Sequence, residues 1–257
     1  MLYSWSSQSG GIILHRIFLR ISEELAGTTE LTATAKTIHT VAMTSEPSTI
    51  QSLATKLALN RGVVTKHCRK LSNLGWMQFA DHGKSRRPIA IIPQEVEAKA
   101  ASEARDLIGR TPFQGEATFK GFVLWIVSPT VKVFFNTRPS FLLNKATGHN
   151  LECDIEIPDH AWVGEYLGDQ HFGPTNMYKG DKEFQERVQR DRLKVELCRQ
   201  HSVRLSSVTK HDLTLERILE ALPDDIPRRF FDPKGPFIEM LELLGQKIAK
   251  GRDWDRD

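Results

Sequence analysis

Apolar residues recur at helical spacing in three successive segments near the start of the chain, and this pattern predicts three short helices. They cover residues 31–43, residues 48–57 with Ser48 as the N-cap, and a third segment that begins after Asn60 and ends at Gly75. The apolar stripe predicted for the third helix consists of Val63, Val64, His67, Leu71 and Leu74. Residues 76–79 and 89–92 then predict two strands around a polar tip over residues 81–87. The region is therefore expected to fold as three helices and a β-hairpin.

The second half of the chain changes to a strand-like pattern. Residues 123–127 and 131–135 are rich in β-branched and aromatic residues, and residues 151–157 alternate strictly between apolar and polar. Residues 158–160 predict a turn, after which residues 162–167 return as the second strand of a hairpin. Residues 182–200 and 215–222 predict helices, residues 203–208 predict a strand, and the apolar residues between 230 and 244 predict a final helix. This order predicts a mixed sheet flanked by helices.

Positive charge is concentrated in the first half. Residues 51–93 contain eight Lys or Arg residues and the single acid Asp81, a net charge of +7, whereas the whole chain carries +3. Such a basic block is typical of a nucleic-acid-binding surface, and a solvated basic face is the alternative. The candidate DNA contacts are Arg61, Thr65, Lys66, Arg69 and Lys70 on the third helix, and Lys84, Arg86 and Arg87 at the hairpin tip.

Residues 53–66 and 71–76 resemble the turn, recognition helix and first wing strand of the winged helix-turn-helix domain of MarR-like bacterial regulators. The resemblance implies that the third helix enters the major groove of DNA and that the hairpin is the wing. Winged helices also serve as protein–protein modules, so that alternative stays open. Residues 12–25 form an amphipathic stretch that could support a homodimer or pack on its own domain.

Two carboxylates stand on the predicted hairpin of the second half. Asp154 lies on the first strand and Glu165 on the second, so an antiparallel pair can bring them together. Clustered carboxylates with a backbone carbonyl suit Mg²⁺, which can generate hydroxide and stabilise charge at a scissile phosphate. Acidic residues at an exposed strand edge would show the same spacing. The spacing alone therefore leaves both interpretations open.

The blocks at residues 151–158, 165–172 and 190–194 resemble endonucleases of the PD-(D/E)xK superfamily, in the branch of very-short-patch-repair and EDxHD homing nucleases. The resemblance implies a site with Mg²⁺ or Mn²⁺ held by Asp154, Glu165 and the Tyr166 carbonyl. It also places Gln170 and His171 beside the scissile phosphate, where they position the attacking water or assist proton transfer. Lys194 would stand in for the catalytic lysine and stabilise the charge on the phosphate, with Asp191 orienting it.

Two positions depart from this family pattern. Leu167 stands where the motif's lysine would fall, and Glu116 is the upstream substitute for a glutamate that many relatives carry near residues 140–145. The helix carrying Lys194 also has a simpler interpretation. Arg187, Asp191 and Lys194 stand at spacings that suit a surface ion-pair ladder.

Composition narrows the class of protein further. The longest apolar stretch, residues 121–127, is far shorter than the ~20 residues of a membrane span, so we expect no membrane-spanning segment. Residues 1–20 have no basic segment ahead of their apolar run, so we also expect no secretory signal. Three widely spaced cysteines argue against a disulfide framework or a zinc finger and favour a reducing, cytoplasmic setting. The expected setting is bacterial or phage-encoded and nucleoid-associated.

The sequence thus predicts a two-domain α+β or α/β protein. A winged-helix domain covers residues 1–110, a restriction-endonuclease-like domain covers residues 111–250, and residues 251–257 form a tail. The expected function is a Mg²⁺-dependent DNA endonuclease. The alternatives are a non-catalytic DNA-binding regulator or replication factor with a degenerate nuclease fold, and a nuclease subunit that works with a mobile-element partner protein.

Overall fold

The structure is a computed structural model that describes residues 21–44, 49–82, 85–168 and 181–251, and it is a mixed α/β fold. Residues 21–27 are helical. The further helices are α1 (Ala33–Thr44), α2 (Ile50–Leu57), α3 (Arg61–Asn73), α4 (Gln94–Gly109), α5 (Gln114–Ile126), α6 (Asp181–Gln200), α7 (Leu215–Ala221) and α8 (Pro236–Ala249). The strands are β1 (Met77–His82), β2 (Ser85–Ala90), β3 (Phe134–Thr137), β4 (Leu143–Asn144), β5 (His149–Asn150), β6 (Cys153–Ile157), β7 (Trp162–Leu167) and β8 (Arg204–Thr209).

Local capping chemistry sets the ends of α2 and α3. The Thr49 hydroxyl accepts the Ser52 N–H at 3.0 Å and the Ser52 hydroxyl accepts the Thr49 N–H at 3.1 Å, which is a capping box. Thr49 therefore caps α2, in place of the predicted Ser48, which lies outside the described residues. The predicted cap of α3 is confirmed, because the Asn60 side chain accepts the Gly62 N–H at 2.7 Å. Gly75, with φ +75°, follows the end of α3 as predicted.

The apolar face of α3 differs from the predicted stripe. Val64, Cys68 and Leu71 are fully buried, whereas Val63 is 40% exposed. These buried positions follow the i, i+4, i+7 spacing of one helix face, and the free Cys68 packs there as a small apolar side chain. The prediction missed Cys68 because a cysteine was not counted among the core residues.

The hairpin is longer than the sequence pattern predicted. β1 and β2 pair antiparallel from Met77–Ala90 to His82–Ser85, so most of the expected tip belongs to the strands. With α1, α2 and α3 the hairpin encloses a small apolar core. Residues 83 and 84, including the candidate DNA contact Lys84, lie outside the described residues.

A larger core surrounds α5, and here one prediction was wrong. Residues 123–127, predicted as a strand, belong to α5 and the residue that follows it. Every residue of α5 from Ala117 to Ile126 is buried. A continuous apolar run fits a fully buried helix as well as a strand, which is why the pattern misled. Trp125 stacks on Phe237 of α8 with ring centroids 3.8 Å apart, so α5 and α8 pack directly.

Helix α4 contributes to the larger core, which also includes Ile21 from the start of the described chain. Ala100, Ala101, Ala104 and Ile108 of α4 are buried in the larger core. The Glu97 carboxylate of α4 also accepts the Phe237 N–H at 3.1 Å. The polar residues of α4 suggested a linker between two domains in the sequence, whereas its alanine-rich face packs on α8.

The sheet that carries the candidate acids has four strands in the order β3-β6-β7-β8. β6 and β7 form the predicted antiparallel hairpin, and the alternating burial predicted for β6 is confirmed. α6 leads from β7 to β8, which lies parallel to β7. β3 begins three residues later than the predicted strand at residue 131.

No helix among the described residues is long and apolar enough to cross a membrane.

Candidate active site

Asp154 and Glu165 lie on neighbouring strands at the same level of the sheet. Ile155 pairs with Gly164 across the two antiparallel strands. The next position along each strand therefore places Asp154 opposite Glu165. The Asp154 carboxylate accepts the backbone N–H of Tyr166 at 2.7 Å. This hydrogen bond holds the Asp154 side chain against the β7 edge. The structure thus brings together the two acids that the sequence singled out.

Both carboxylates have pKa values well above the ordinary range. Burial, followed by the negative charge of Glu116, raises the pKa of Asp154 to about 6. Burial, followed by the charge of Asp154, raises the pKa of Glu165 to about 7. Burial and the neighbouring negative charges therefore make ionisation of these acids costly. A bound cation would lower that cost, and such raised pKa values are common at functional sites.

Lys194 reaches the acid pair from α6. Its Nζ lies 2.7 Å from Glu165 Oε1, and each of these two side chains is 11% exposed. The charge of Asp191 on the same helix contributes to the raised pKa of Glu165. Arg190, one turn earlier on α6, is exposed.

A second lysine, which sequence analysis did not single out, also acts on Asp154. Lys120 of α5 is 1% exposed, and its ammonium group bonds to the carboxylate of Glu116 and to Asn136 Oδ1. Its charge opposes the rise in the pKa of Asp154. Lys120 lies one turn after Glu116, so the i, i+4 spacing could have revealed it. The mistaken strand prediction for residues 123–127 hid the helix that carries both residues.

Tyr166 turns its side chain towards the start of α5. A Cβ atom added at Gly115 would overlap the Tyr166 hydroxyl, so only glycine permits this close approach. The N–H and C=O of one strand residue point to the same edge, and the Tyr166 N–H faces Asp154. The Tyr166 carbonyl consequently faces the same edge as the Asp154 carboxylate. Leu167 follows as a half-buried residue paired with Thr209 on β8.

These groups can be compared with the demands of a divalent metal ion. Among the residues that the structure describes, no group of three or more His, Cys, Asp or Glu side chains is arranged to hold a metal. Mg²⁺ demands less, since it keeps several waters and often binds one or two carboxylates. Asp154 and Glu165, with their raised pKa values, fit that smaller demand. Gln170 and His171 lie outside the described residues.

The candidate DNA contacts of the first half lie on one surface of α3. Arg61, Lys66, Arg69 and Lys70 are exposed and Thr65 is half-buried, and together they line a shallow surface concavity. α3 has no acidic residue in its first turn. On β2, Arg86 is exposed and Arg87 is half-buried, so these two neighbours do not share one environment.

Comparison with known proteins adds one relative of undefined function. No protein-family model matches the chain, and no solved structure matches it. A protein of Invertebrate iridescent virus 3, described as uncharacterized protein 033L, is 35% identical over 100 residues. The match covers 38% of this chain and 50% of the viral protein, so the chain spans about half the length of that relative. The two family resemblances of the sequence therefore stay predictions.

Proposed function

We propose that the protein is a Mg²⁺-dependent DNA endonuclease. The observation that carries the proposal is the pair of neighbouring carboxylates, half-buried Asp154 and buried Glu165, with pKa values raised to about 6 and about 7. Buried acids without full compensation are costly to maintain, and perturbed pKa values of this kind cluster at functional sites. The strand order and the crossover helix α6 support the PD-(D/E)xK-like fold that the sequence resembles.

In this proposal each group at the site has a separate task. Asp154, Glu165 and the Tyr166 carbonyl would hold the ion, which supplies charge stabilisation and an activated water. The Asp154 carboxylate is kept in place by the Tyr166 N–H. Lys194 supplies a positive charge next to Glu165, where it can stabilise the charge that develops on an attacked phosphate. Lys120 offsets the charge of Glu116.

Cleavage of supercoiled plasmid DNA tests this function directly. We expect nicked or linear product with Mg²⁺ or Mn²⁺, and intact plasmid when EDTA replaces the metal. A non-catalytic DNA-binding protein, the alternative suggested by Leu167, would shift the plasmid in a binding assay without cutting it under either condition. Cutting that appears only after addition of a partner protein would favour a mobile-element nuclease.

We also propose that α3 and the hairpin form a winged helix that holds the DNA. The supporting observation is the exposed basic surface of α3 with no acid in its first turn. Lysine and arginine on such a helix neutralise phosphates and release counterions. The proposed arrangement on DNA is that of the MarR-like domains. Helix α3 would lie in the major groove, and the hairpin would contact the backbone or the minor groove.

Lys70→Ala should weaken DNA binding to all sequences equally. If Lys70 contacts one phosphate, the slope of log K against log salt should flatten by about 0.9. Fluorescence anisotropy with the full chain and a salt series measures this slope. Lys99→Ala is the control, since Lys99 is exposed on α4, outside this surface. Equal slopes for the Lys70 variant and the unmodified chain would argue that α3 does not contact the DNA backbone.

The full chain is needed for this measurement. A fragment ending at residue 110 would carry α4 without α8, its main packing partner. The buried alanines of α4 would then be exposed, and a loss of binding could result from misfolding instead of a missing contact.

A further inference from the structure

A small cleft lies where the hairpin meets the larger core. It has a volume of about 70 Å³ and is lined by residues of α1 and β2, by Ser128 and by residues 228–230. Its polar lining residues are Arg87, Ser128, Arg228 and Arg229, and the other described lining residues are apolar. None of the described lining residues is acidic, and none belongs to the acid cluster on β6 and β7.

Three arginines from two separate parts of the chain therefore meet at this cleft. Arg229 is 8% exposed, and its guanidinium lies 3.8 Å from the Trp125 ring centroid, which fixes its position. Burial lowers the pKa of Arg229 to about 9, although the charge of Glu97 acts in the opposite direction. Glu97 itself is buried, and burial raises its pKa, which weakens the compensation that it gives.

Arg228 is held by backbone carbonyl groups. Its Nη2 donates to the carbonyl oxygens of Leu219 at 3.3 Å and Leu222 at 3.1 Å. Asp224 lies 3.4 Å from the same nitrogen, but its side chain is fully exposed to solvent. Such an exposed pair contributes little compensation. The guanidinium is therefore positioned at the cleft with its charge mostly intact.

Two of the three arginines have a donor group that lacks a partner. Within the described part of the chain, the buried Nε–H groups of Arg87 and Arg228 have no hydrogen-bond partner. Buried donors in folded proteins are nearly always satisfied, so each of these groups indicates a missing acceptor. An acceptor that also carries negative charge would satisfy the donors and offset the charges together.

We propose that this cleft binds a single phosphate group between Arg87, Arg228 and Arg229. A volume of about 70 Å³ exceeds the roughly 10–15 Å³ that one water molecule needs and is far below the roughly 300–1,000 Å³ of clefts that bind larger ligands. Guanidinium groups match the oxygens of a tetrahedral oxyanion with paired hydrogen bonds. The site is separate from the acid pair and does not depend on cleavage. The group is either free inorganic phosphate or a backbone phosphate of DNA.

Calorimetric titration of the full chain with inorganic phosphate tests the site. Sodium chloride at equal ionic strength is the reference, and Arg87→Gln is compared with Arg105→Gln, which removes the same charge from an exposed position on α4, outside the cleft. We expect Arg87→Gln to weaken phosphate binding by at least about tenfold, the loss typical of one charged hydrogen bond. The Arg105 variant should bind phosphate normally. No phosphate binding by the unmodified chain, or equal binding by all three proteins, overturns the proposal.

A second variant covers the case in which Arg87→Gln fails to fold by circular dichroism. Arg87→Lys keeps the charge and the aliphatic stem but loses the planar fork, so we expect weaker binding with a smaller loss than for glutamine. Unchanged phosphate affinity in the folded lysine variant would contradict the bidentate contact and overturn the site as proposed.

Competition distinguishes the two sources of the phosphate group. Inorganic phosphate should displace a labelled 20-base-pair duplex from the unmodified chain, but not from Arg87→Gln, if a DNA phosphate occupies the cleft. Independent binding of duplex and phosphate assigns the site to free phosphate. Failure of the chain to bind any duplex would contradict the proposed nuclease function and leave the calorimetric result unaffected.

Discussion

Asp154→Asn and Glu165→Gln should each abolish metal-dependent cleavage, with a loss of about 10³-fold or more in the single-turnover rate. Loss of one metal ligand removes several kcal/mol of transition-state stabilisation, and each ~1.4 kcal/mol is tenfold in rate. Both replacements keep the shape of the side chain, and the amide oxygen introduced by Asp154→Asn can still accept the Tyr166 N–H. DNA affinity should stay within about twofold, because α3 is untouched.

Stability measurements separate this loss from misfolding. Burial and the negative charge of Glu116 oppose ionisation of Asp154, so a neutral amide there removes a cost of the folded state. We therefore expect the melting temperature of Asp154→Asn to be equal to or above that of the unmodified chain when no metal is present. Glu165→Gln leaves Lys194 without its buried partner, so its melting temperature should be lower, and circular dichroism at the assay temperature checks that it is folded. Rapid cleavage by either variant would show that the acid pair is not the catalytic centre.

Lys194→Ala should lower the cleavage rate by about 10²–10³-fold, the usual cost of one preorganised electrostatic group. Leu167 leaves the motif's lysine position without a charge, and Lys194 is the buried lysine that pairs with Glu165. Lys194→Arg should rescue poorly, because a planar fork replaces a compact ammonium at a buried position. Single-turnover kinetics of both variants measure the effect on chemistry apart from product release.

Arg190→Ala provides the matched control for Lys194. It lies one turn earlier on α6 and is exposed, so its removal should leave the rate nearly unchanged. If Lys194→Ala cuts DNA at the normal rate, Lys194 has only a structural role beside Glu165. Gln170→Ala and His171→Ala in the same assay then test the other donors that the sequence predicted.

The elements with strong local signals could be predicted closely. The Asn60 cap, Gly75 and the alternating residues of β6 each have a local physical cause, so their positions in the sequence predict their structure. α5 could not be predicted in this way. Its continuous apolar run has no period, and only the surrounding elements determine that it is a helix.

The candidate site shows the same division. Asp154 and Glu165 were found because hairpin pairing is local, with short separation along the chain. Lys120 was missed because the strand predicted for residues 123–127 hid the helix that carries it, and its contact with Asn136 depends on how that helix packs against the sheet. The pairing of Lys194 with Glu165 was suggested by the family resemblance, since spacing on α6 alone equally favoured a surface ion-pair ladder.

The short connection between β2 and α4 has a consequence for where DNA would be cut. The Ile91 carbonyl lies 3.0 Å from His39 Nε2 on α1, and three residues later α4 begins its packing on α8. Because the chain is held by packing before and after these three residues, the connection is too short to act as a flexible linker. In a DNA-cutting protein this rigid connection would hold the DNA-binding surface at a fixed distance from the cleavage site. Strand breaks would fall at a constant number of base pairs from the bound sequence, instead of scattering around it.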